Sequence, residues 1–163
     1  MKTKKLSVMA LTIALAMVLS FVESQIPALI AIPGIKVGLA NIAVVFALYK
    51  LGAKEAVFIS LIRVALISLL FGNFASLFYS LAGAVLSLTG MILLRRFESV
   101  STVAVSVSGG VLHNVGQIAM ACILLETDVI KYYLPFLIVS GTLAGVVIGV
   151  VSAILIKRIK LEL

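Results

Sequence analysis

The chain has 163 residues, of which 63% are hydrophobic and 12% are charged, and its net charge is +7. This composition excludes an ordinary soluble domain, which needs a polar surface. The basic residues cluster at the ends of apolar segments, which indicates membrane orientation and argues against a nucleic-acid partner. The one cysteine, Cys122, lies inside an apolar run and excludes a disulfide framework within the chain.

Six apolar segments are candidates for membrane-spanning helices, although the second is short for the ~20 residues that a span needs. They are predicted at residues 6–22, 37–49, 56–71, 75–94, 102–125 and 133–156. The first follows a basic stretch, as a signal peptide would, but its small-residue pattern Ala14–Ala16 lies inside the apolar run. We therefore interpret it as a retained helix. The prediction is a single all-α domain, residues 1–163, of a polytopic membrane protein with six transmembrane helices.

The basic residues are divided unequally between the two ends of these helices. With six spans both termini share one side, and that side holds Lys2, Lys4, Lys5, Lys50, Lys54, Arg95, Arg96, Lys157, Arg158 and Lys160. The opposite side holds only Lys36 and Lys131. Because basic residues are enriched in cytoplasmic loops, we expect both termini to be cytoplasmic.

The stretch "ESQIPALIAIPGIK", residues 23–36, is an unusually polar connection between the first two apolar segments. Its prolines prevent a continuous helix, and non-helical backbone at membrane depth is tolerated where it lines a cavity. We interpret the stretch as a lid over an outward-facing cavity, the alternative being an ordinary apolar turn. The lid residues are predicted to be Glu23, Pro27, Pro33, Gly34 and Gly38.

Arg63 lies in the middle of the third apolar segment, too far from either end to reach an interface easily. A charge at this depth costs at least ~2.5–3.5 kcal/mol on insertion scales, so it needs a partner. The spans contain no Asp or Glu, and Glu23, at the end of the first helix, is the nearest candidate. Two interpretations stay open, an internal pair with Glu23 and a contact with an anionic ligand.

The fifth segment carries "SGGVLHNVGQ", in which His113 and Gln117 lie one helical turn apart. Polar groups facing lipid are costly, so these side chains should turn inward. Together with polar residues of the other segments they predict a substrate-binding site, formed by Lys36, Asn41, Arg63, His113, Asn114 and Gln117. One histidine without nearby carboxylates or thiols is a poor metal site, so no metal is expected. No cofactor or catalytic residue is predicted either.

Small residues recur at four-residue spacing in two helices, which allows another helix to approach closely. Gly141, Gly145 and Gly149 do so in the sixth segment, and Ala10 and Ala14 in the first. For both sets the alternatives are packing within this chain and docking of a partner membrane protein.

The runs "IPGIKVGLANI", "LIRVALISLLFG" and "LHNVGQ" resemble, in this order, a bacterial family labelled heptaprenyl diphosphate synthase component I or Gx transporter family. That family in turn resembles the substrate-binding S components of energy-coupling factor (ECF) transporters. The resemblance implies six helices, cytoplasmic termini and an outward pocket under the first loop. It also implies that Ala10 and Ala14 dock a transmembrane T component, which works with ATPase subunits.

Two functions follow from these labels. The first is a non-enzymatic substrate-binding subunit in the bacterial cytoplasmic membrane, taking up a cofactor or an isoprenoid- or quinone-related precursor. The second is a non-catalytic membrane component associated with heptaprenyl diphosphate synthase. The chain has neither a Walker motif nor the paired aspartates that would hold magnesium for diphosphate chemistry, so it is not predicted to be an enzyme itself.

Overall fold

Helices make up most of the chain in the computed structural model, which describes residues 2–25, 38–72 and 74–161. The helices are α1 (Lys2–Gln25), α2 (Asn41–Lys50), α3 (Ala53–Phe71), α4 (Phe74–Arg95), α5 (Thr102–Leu124) and α6 (Leu134–Arg158), with a 3-10 turn at Val129–Tyr133 before α6. No strand occurs in these residues. The predicted all-α fold is confirmed.

The first two helices differ from their predicted bounds. α1 continues to Gln25, so Glu23 belongs to the helix and not to the connection that was predicted to begin there. α2 begins at Asn41 instead of residue 37, because Gly38 has a φ of +76° and starts a turn whose carbonyl accepts from the backbone N–H of Asn41. The lid residues Pro27, Pro33 and Gly34, and the site residue Lys36, lie outside the described residues.

Four helical stretches are long and apolar enough to cross a membrane: Thr3–Glu23, Phe74–Arg95, Thr102–Leu124 and Val129–Arg158. α2 has ten residues and is ~15 Å long, half the ~30 Å thickness of the hydrocarbon core. α3 has 19 residues but carries Lys54, Glu55 and Arg63. By length and composition, the described residues therefore contain four candidate membrane spans among six helices.

α2 occupies the centre of the bundle. It packs against α1, α3 and α6, while α4 lies between α3 and α5, and α5 lies between α4 and α6. Five of its ten residues are buried, including Val44 and Leu48. Because its surroundings are protein on several sides, a short and mostly apolar sequence suffices for this helix.

The two ends of the bundle differ in character. At the end that holds both described termini, apolar side chains such as Leu48, Ile59 and Val105 form the core. Two polar contacts bind the helices here: Lys5 of α1 pairs with Glu55 of α3, and the guanidinium of Arg95 lies 5.1 Å from the ring centre of Tyr49. We call this the basic end, since it carries all the described basic residues except Arg63 and Lys131.

Glycines bring the backbones of α5 and α6 into direct contact. A Cβ on Gly110 would lie 2.5 Å from the carbonyl oxygen of Gly141, and one on Gly145 would lie 2.6 Å from the Cα of Val107. Gly141, Gly145 and Gly149 are all buried in this way. The four-residue glycine spacing of α6 thus serves packing within the chain, and the alternative of partner docking at these glycines is wrong.

Candidate functional site

A cavity of about 210 Å³ lies inside the bundle and meets the apolar core of the basic end at Val45 and Met91. Every one of the six helices contributes to its wall. The wall includes the last turn of α1, the start of α2, the second half of α3 and the first half of α4. Most of the wall therefore belongs to the half of the bundle opposite the basic end, and Met91 and Ser106 extend it towards the middle.

The cavity gathers most of the residues that the sequence singled out. Five of the six predicted substrate-binding residues border it, and the sixth, Lys36, is outside the described residues. The five are Asn41, Arg63, His113, Asn114 and Gln117. Glu23 and Gly38, predicted as lid residues, border the same space. The geometry thus joins side chains from four helices that are as much as 94 residues apart in the chain (Glu23 to Gln117).

Arg63 is a charged residue whose side chain lies inside the bundle, at the cavity wall. Its Nε atom is buried and has no hydrogen-bond partner in the part of the chain that the structure describes. The carboxylate of Glu23 is the nearby opposite charge that acts on it, yet the two side chains are not in ion-pair contact. Because a buried unpaired N–H costs about 1–3 kcal/mol, Arg63 is a group with unsatisfied binding capacity.

Glu23 connects the end of α1 to the turn that begins α2. Its Oε1 atom accepts a hydrogen bond from the backbone N–H of Gly38. Gly38 has a φ of +76°, a backbone conformation that a residue with a Cβ rarely adopts. The carboxylate is thereby fixed at the cavity wall with lone pairs remaining for a second donor.

His113 packs against a glycine of the neighbouring helix. A Cβ on Gly83 of α4 would lie 2.9 Å from two atoms of the imidazole ring and 2.8 Å from the carbonyl oxygen of His113. The ring therefore needs the space that glycine leaves at this position. This contact sets the orientation of His113 at the cavity wall.

Asn114 has a structural contact as well as a place on the cavity wall. Its Nδ2 atom donates a hydrogen bond of 2.6 Å to the carbonyl oxygen of Leu137 in α6. Replacing Asn114 should therefore lower the stability of the empty protein, because such interhelical bonds contribute about 0.6–2 kcal/mol in membrane proteins.

Several hydroxyl groups of the cavity wall were not predicted from the sequence. Ser20, Ser68 and Ser106 lie on its wall, each on a different helix. Serine is frequent in membrane helices because its hydroxyl can bond to the backbone of its own helix, so a single serine carries little signal. Of the three, only Ser106 lies on the same helical face as a predicted substrate-binding residue, two turns before His113.

The wall is suited to binding and offers no metal centre. Within residues 2–25, 38–72 and 74–161 no group of three His, Cys, Asp or Glu side chains could hold a metal ion. The available groups are a guanidinium, a carboxylate, an imidazole, amides and hydroxyls, beside apolar residues such as Val64 and Ile148. Such a mixture can hold a small molecule by hydrogen bonds and charge.

The predicted docking residues of α1 point away from the bundle. Ala10 and Ala14 are both exposed, whereas Thr12 and Ala16 of the same helix are buried. Internal packing, one of the two alternatives for these alanines, is therefore not what they do here. The face they occupy also carries Val18 and Phe21, which are 57% and 44% exposed.

Membrane-length apolar helices around a polar interior cavity indicate a helical membrane protein. Its family is shown by the match of residues 12–155 to the family model described as heptaprenyl diphosphate synthase component I. The chain belongs to that family, as its three sequence motifs suggested. No curated protein and no solved structure matches the chain.

The family description names one component of a synthase, which implies a further component as partner. It agrees with the prediction that this chain is not an enzyme itself, and with the alternative of an accessory subunit of a prenyl diphosphate synthase.

Proposed function

We propose that the protein is a membrane-embedded subunit that binds a small molecule for uptake, in the manner of an ECF S component. The observation that carries the proposal is the cavity, where Asn41, Arg63, His113, Asn114 and Gln117 meet. A cluster of charged and amide groups inside an apolar bundle is costly unless a ligand or water satisfies it. The cofactor-like or isoprenoid-related precursor expected from the sequence would bind here.

The proposal includes six membrane passes with both termini in the cytoplasm of a bacterial cell. α3 would cross despite its charges, since Arg63 faces the cavity and Lys54 and Glu55 lie at the basic end. α2 would be enclosed by its neighbours, so that its ten residues need not contact lipid over the whole thickness. The basic end would face the cytoplasm and the cavity would open to the outside.

Ala10 and Ala14 would dock a T component, which couples the subunit to separate ATPase chains. Their exposure on α1 supports this role, because small exposed side chains let a second helix approach closely. When no T component is bound, the same face of α1 would contact lipid.

The second candidate is a membrane accessory of heptaprenyl diphosphate synthase, and the family description favours it. The cavity volume of about 210 Å³ is below the ~300–1,000 Å³ typical of sites for drug-sized ligands. A seven-unit prenyl chain would not fit inside such a space. Under this second function the chain would therefore contact its partner enzyme, and the cavity would hold only a small molecule.

Native mass spectrometry of the protein purified from its own membrane tests the proposed binding function. We expect a retained small molecule that is depleted about three- to tenfold in Asn41→Ala and in Gln117→Ala, as expected for the loss of one hydrogen bond. Thr142→Ala is the matched control, since this hydroxyl bonds to the carbonyl of Ile138 in its own helix and is not part of the cavity wall.

Equal retention in all variants would remove the cavity as the binding site. Co-purification of a prenyl synthase subunit, with no retained molecule, would favour the second candidate.

A further inference from the structure

The cavity wall carries one full positive and one full negative charge that do not neutralise each other by contact. This count covers only the described residues and leaves out the imidazole of His113; the two charges are the guanidinium of Arg63 and the carboxylate of Glu23. The Nε atom of Arg63 has no described hydrogen-bond partner. Glu23 receives the N–H of Gly38 at one oxygen and keeps acceptor capacity for another donor.

The charge balance of this wall discriminates between ligand classes. A purely anionic ligand would satisfy Arg63 but would bring a second negative charge close to Glu23, and repulsion is strong where water is scarce. A purely cationic ligand would satisfy Glu23 but would bring a second positive charge close to Arg63. A ligand with one group of each sign satisfies both side chains and adds no net charge to the membrane interior.

From this complementarity, and resting on the proposed binding function, we infer that the site takes a small zwitterion. Its carboxylate or phosphate would accept hydrogen bonds from Arg63, and its protonated nitrogen would donate to Glu23. The cavity of about 210 Å³ is below the ~300–1,000 Å³ typical of sites for drug-sized ligands, which favours a small zwitterion such as an amino acid. Apolar wall residues such as Ile67 and Met91 would contact its carbon skeleton.

Isothermal titration calorimetry of the purified protein in lipid nanodiscs tests the ligand class. The probes are L-leucine, 4-aminobutanoate and 6-aminohexanoate, which differ in the separation of their charges. Each is compared with its deaminated acid and its decarboxylated amine. We expect at least one zwitterion to bind about tenfold or more tightly than both of its analogues, because each analogue leaves a buried charge unpaired.

The variant Glu23→Gln tests whether the carboxylate of Glu23 binds the protonated nitrogen of the ligand. It should lower the affinity for the zwitterion about tenfold or more and raise the affinity for the deaminated acid, because the repulsion between two carboxylates is removed. Glu98→Gln, at an exposed carboxylate between α4 and α5, is the control and should change neither.

Equal affinity for a zwitterion and its deaminated acid would overturn the inference, as would the absence of binding by every probe. Two further results separate this failure from failure of the proposed function. A purely anionic molecule retained by the wild-type protein and lost in Gln117→Ala would overturn only the zwitterion class. A protein that retains nothing and binds no probe would overturn both.

Discussion

Single polar residues in an apolar chain can be assigned to a site from sequence because the bilayer penalises every one of them. Arg63, His113 and Gln117 stand out for this reason, and the structure turns all three to one cavity. Ser20 and Ser68 lie on the same wall without any comparable signal, since a serine hydroxyl is inexpensive in a helix. The hydrogen bond of Asn114 to α6 was equally hidden, because it depends on how two helices are packed.

Gly83 offers a test of how closely His113 is held. Gly83→Ala should lower the free energy of unfolding by about 1–3 kcal/mol, because its Cβ would meet both the imidazole and the backbone carbonyl of His113. Gly90→Ala, in the same helix, is the matched control. Its Cβ would meet only the side chain of Leu112, which can rotate away. Thermal unfolding in detergent should show a clear loss of stability for Gly83→Ala and little loss for Gly90→Ala. Equal losses in the two variants would contradict the contact between Gly83 and His113.

At the scale of helices, the length of the apolar runs and the charges at their ends explain which helix bounds could be predicted from the sequence. α4, α5 and α6 begin and end within two residues of their predicted bounds, since each is a long apolar run ended by polar or basic residues. The predicted start of α2 was wrong because the helix begins after Gly38, which has a left-handed conformation. The sequence does not distinguish this glycine from the several glycines of the chain that lie within helices. The end of α1 was misplaced because Glu23 and Gln25 look like loop residues in an apolar chain but continue the helix.

The exposed alanines of α1 lead to a second prediction. In Ala10→Leu/Ala14→Leu the added side chains point away from the bundle, so thermal stability should stay within about 0.5 kcal/mol of wild type. Co-purification with a T component should be lost, because bulky side chains prevent close helix approach.

Ala16→Leu is the control on the same helix: this residue is 0% exposed, so the variant should be destabilised by about 1–3 kcal/mol. If the double variant loses stability like Ala16→Leu, the docking face is an internal surface.

The contact between α1 and α3 predicts a dependence of stability on pH. The hydrogen bond from Lys5 lowers the pKa of the Glu55 carboxyl below its usual 4.5. A carboxyl with a lowered folded-state pKa stabilises the fold above about pH 4.5, and this contribution is lost as the pH falls through the folded value.

Because the pair is partly exposed, the effect should be under about 1 kcal/mol. Unfolding midpoints between pH 7 and pH 3 should decline less for Glu55→Gln than for the wild type. Asp128→Gln, at the exposed pair with Lys131, is the control. Parallel curves for wild type and Glu55→Gln would show that the α1–α3 pair is not formed.

For the whole molecule, the division into a basic apolar end and a polar half follows from the order of elements. The connection between α2 and α3, the connection between α4 and α5, and both described termini meet at the basic end. The sequence predicts this division through the ten-to-two distribution of basic residues. The closeness of Glu23, Asn41 and Gln117 could not be predicted, because it depends on the lateral order of the helices.

The orientation in the membrane can be measured with single cysteines in a Cys122→Ser background. Glu98→Cys lies between α4 and α5, and Asp128→Cys lies beyond the far end of the 23-residue α5. These positions are separated by about 35 Å of helix, more than the ~30 Å hydrocarbon core. A membrane-impermeant maleimide applied to intact cells should label the Asp128→Cys protein and label Glu98→Cys only after lysis. Labelling of both from one side would contradict the topology.

The glycine contacts of α5 have a mechanical consequence. Backbones that touch without intervening side chains, as Gly110 and Gly141 do, cannot slide past each other without opening a gap, so α4, α5 and α6 should move as one stiff body. On the other side of the cavity, α1 meets α3 through side-chain contacts such as that of Phe21 with Phe71, whose ring centres are 5.3 Å apart. Such contacts can rearrange by rotation of side chains. Any change in the width of the cavity should therefore come from α1 and α3 shifting against a fixed wall, with Arg63 carried on the moving part and His113 on the stationary one.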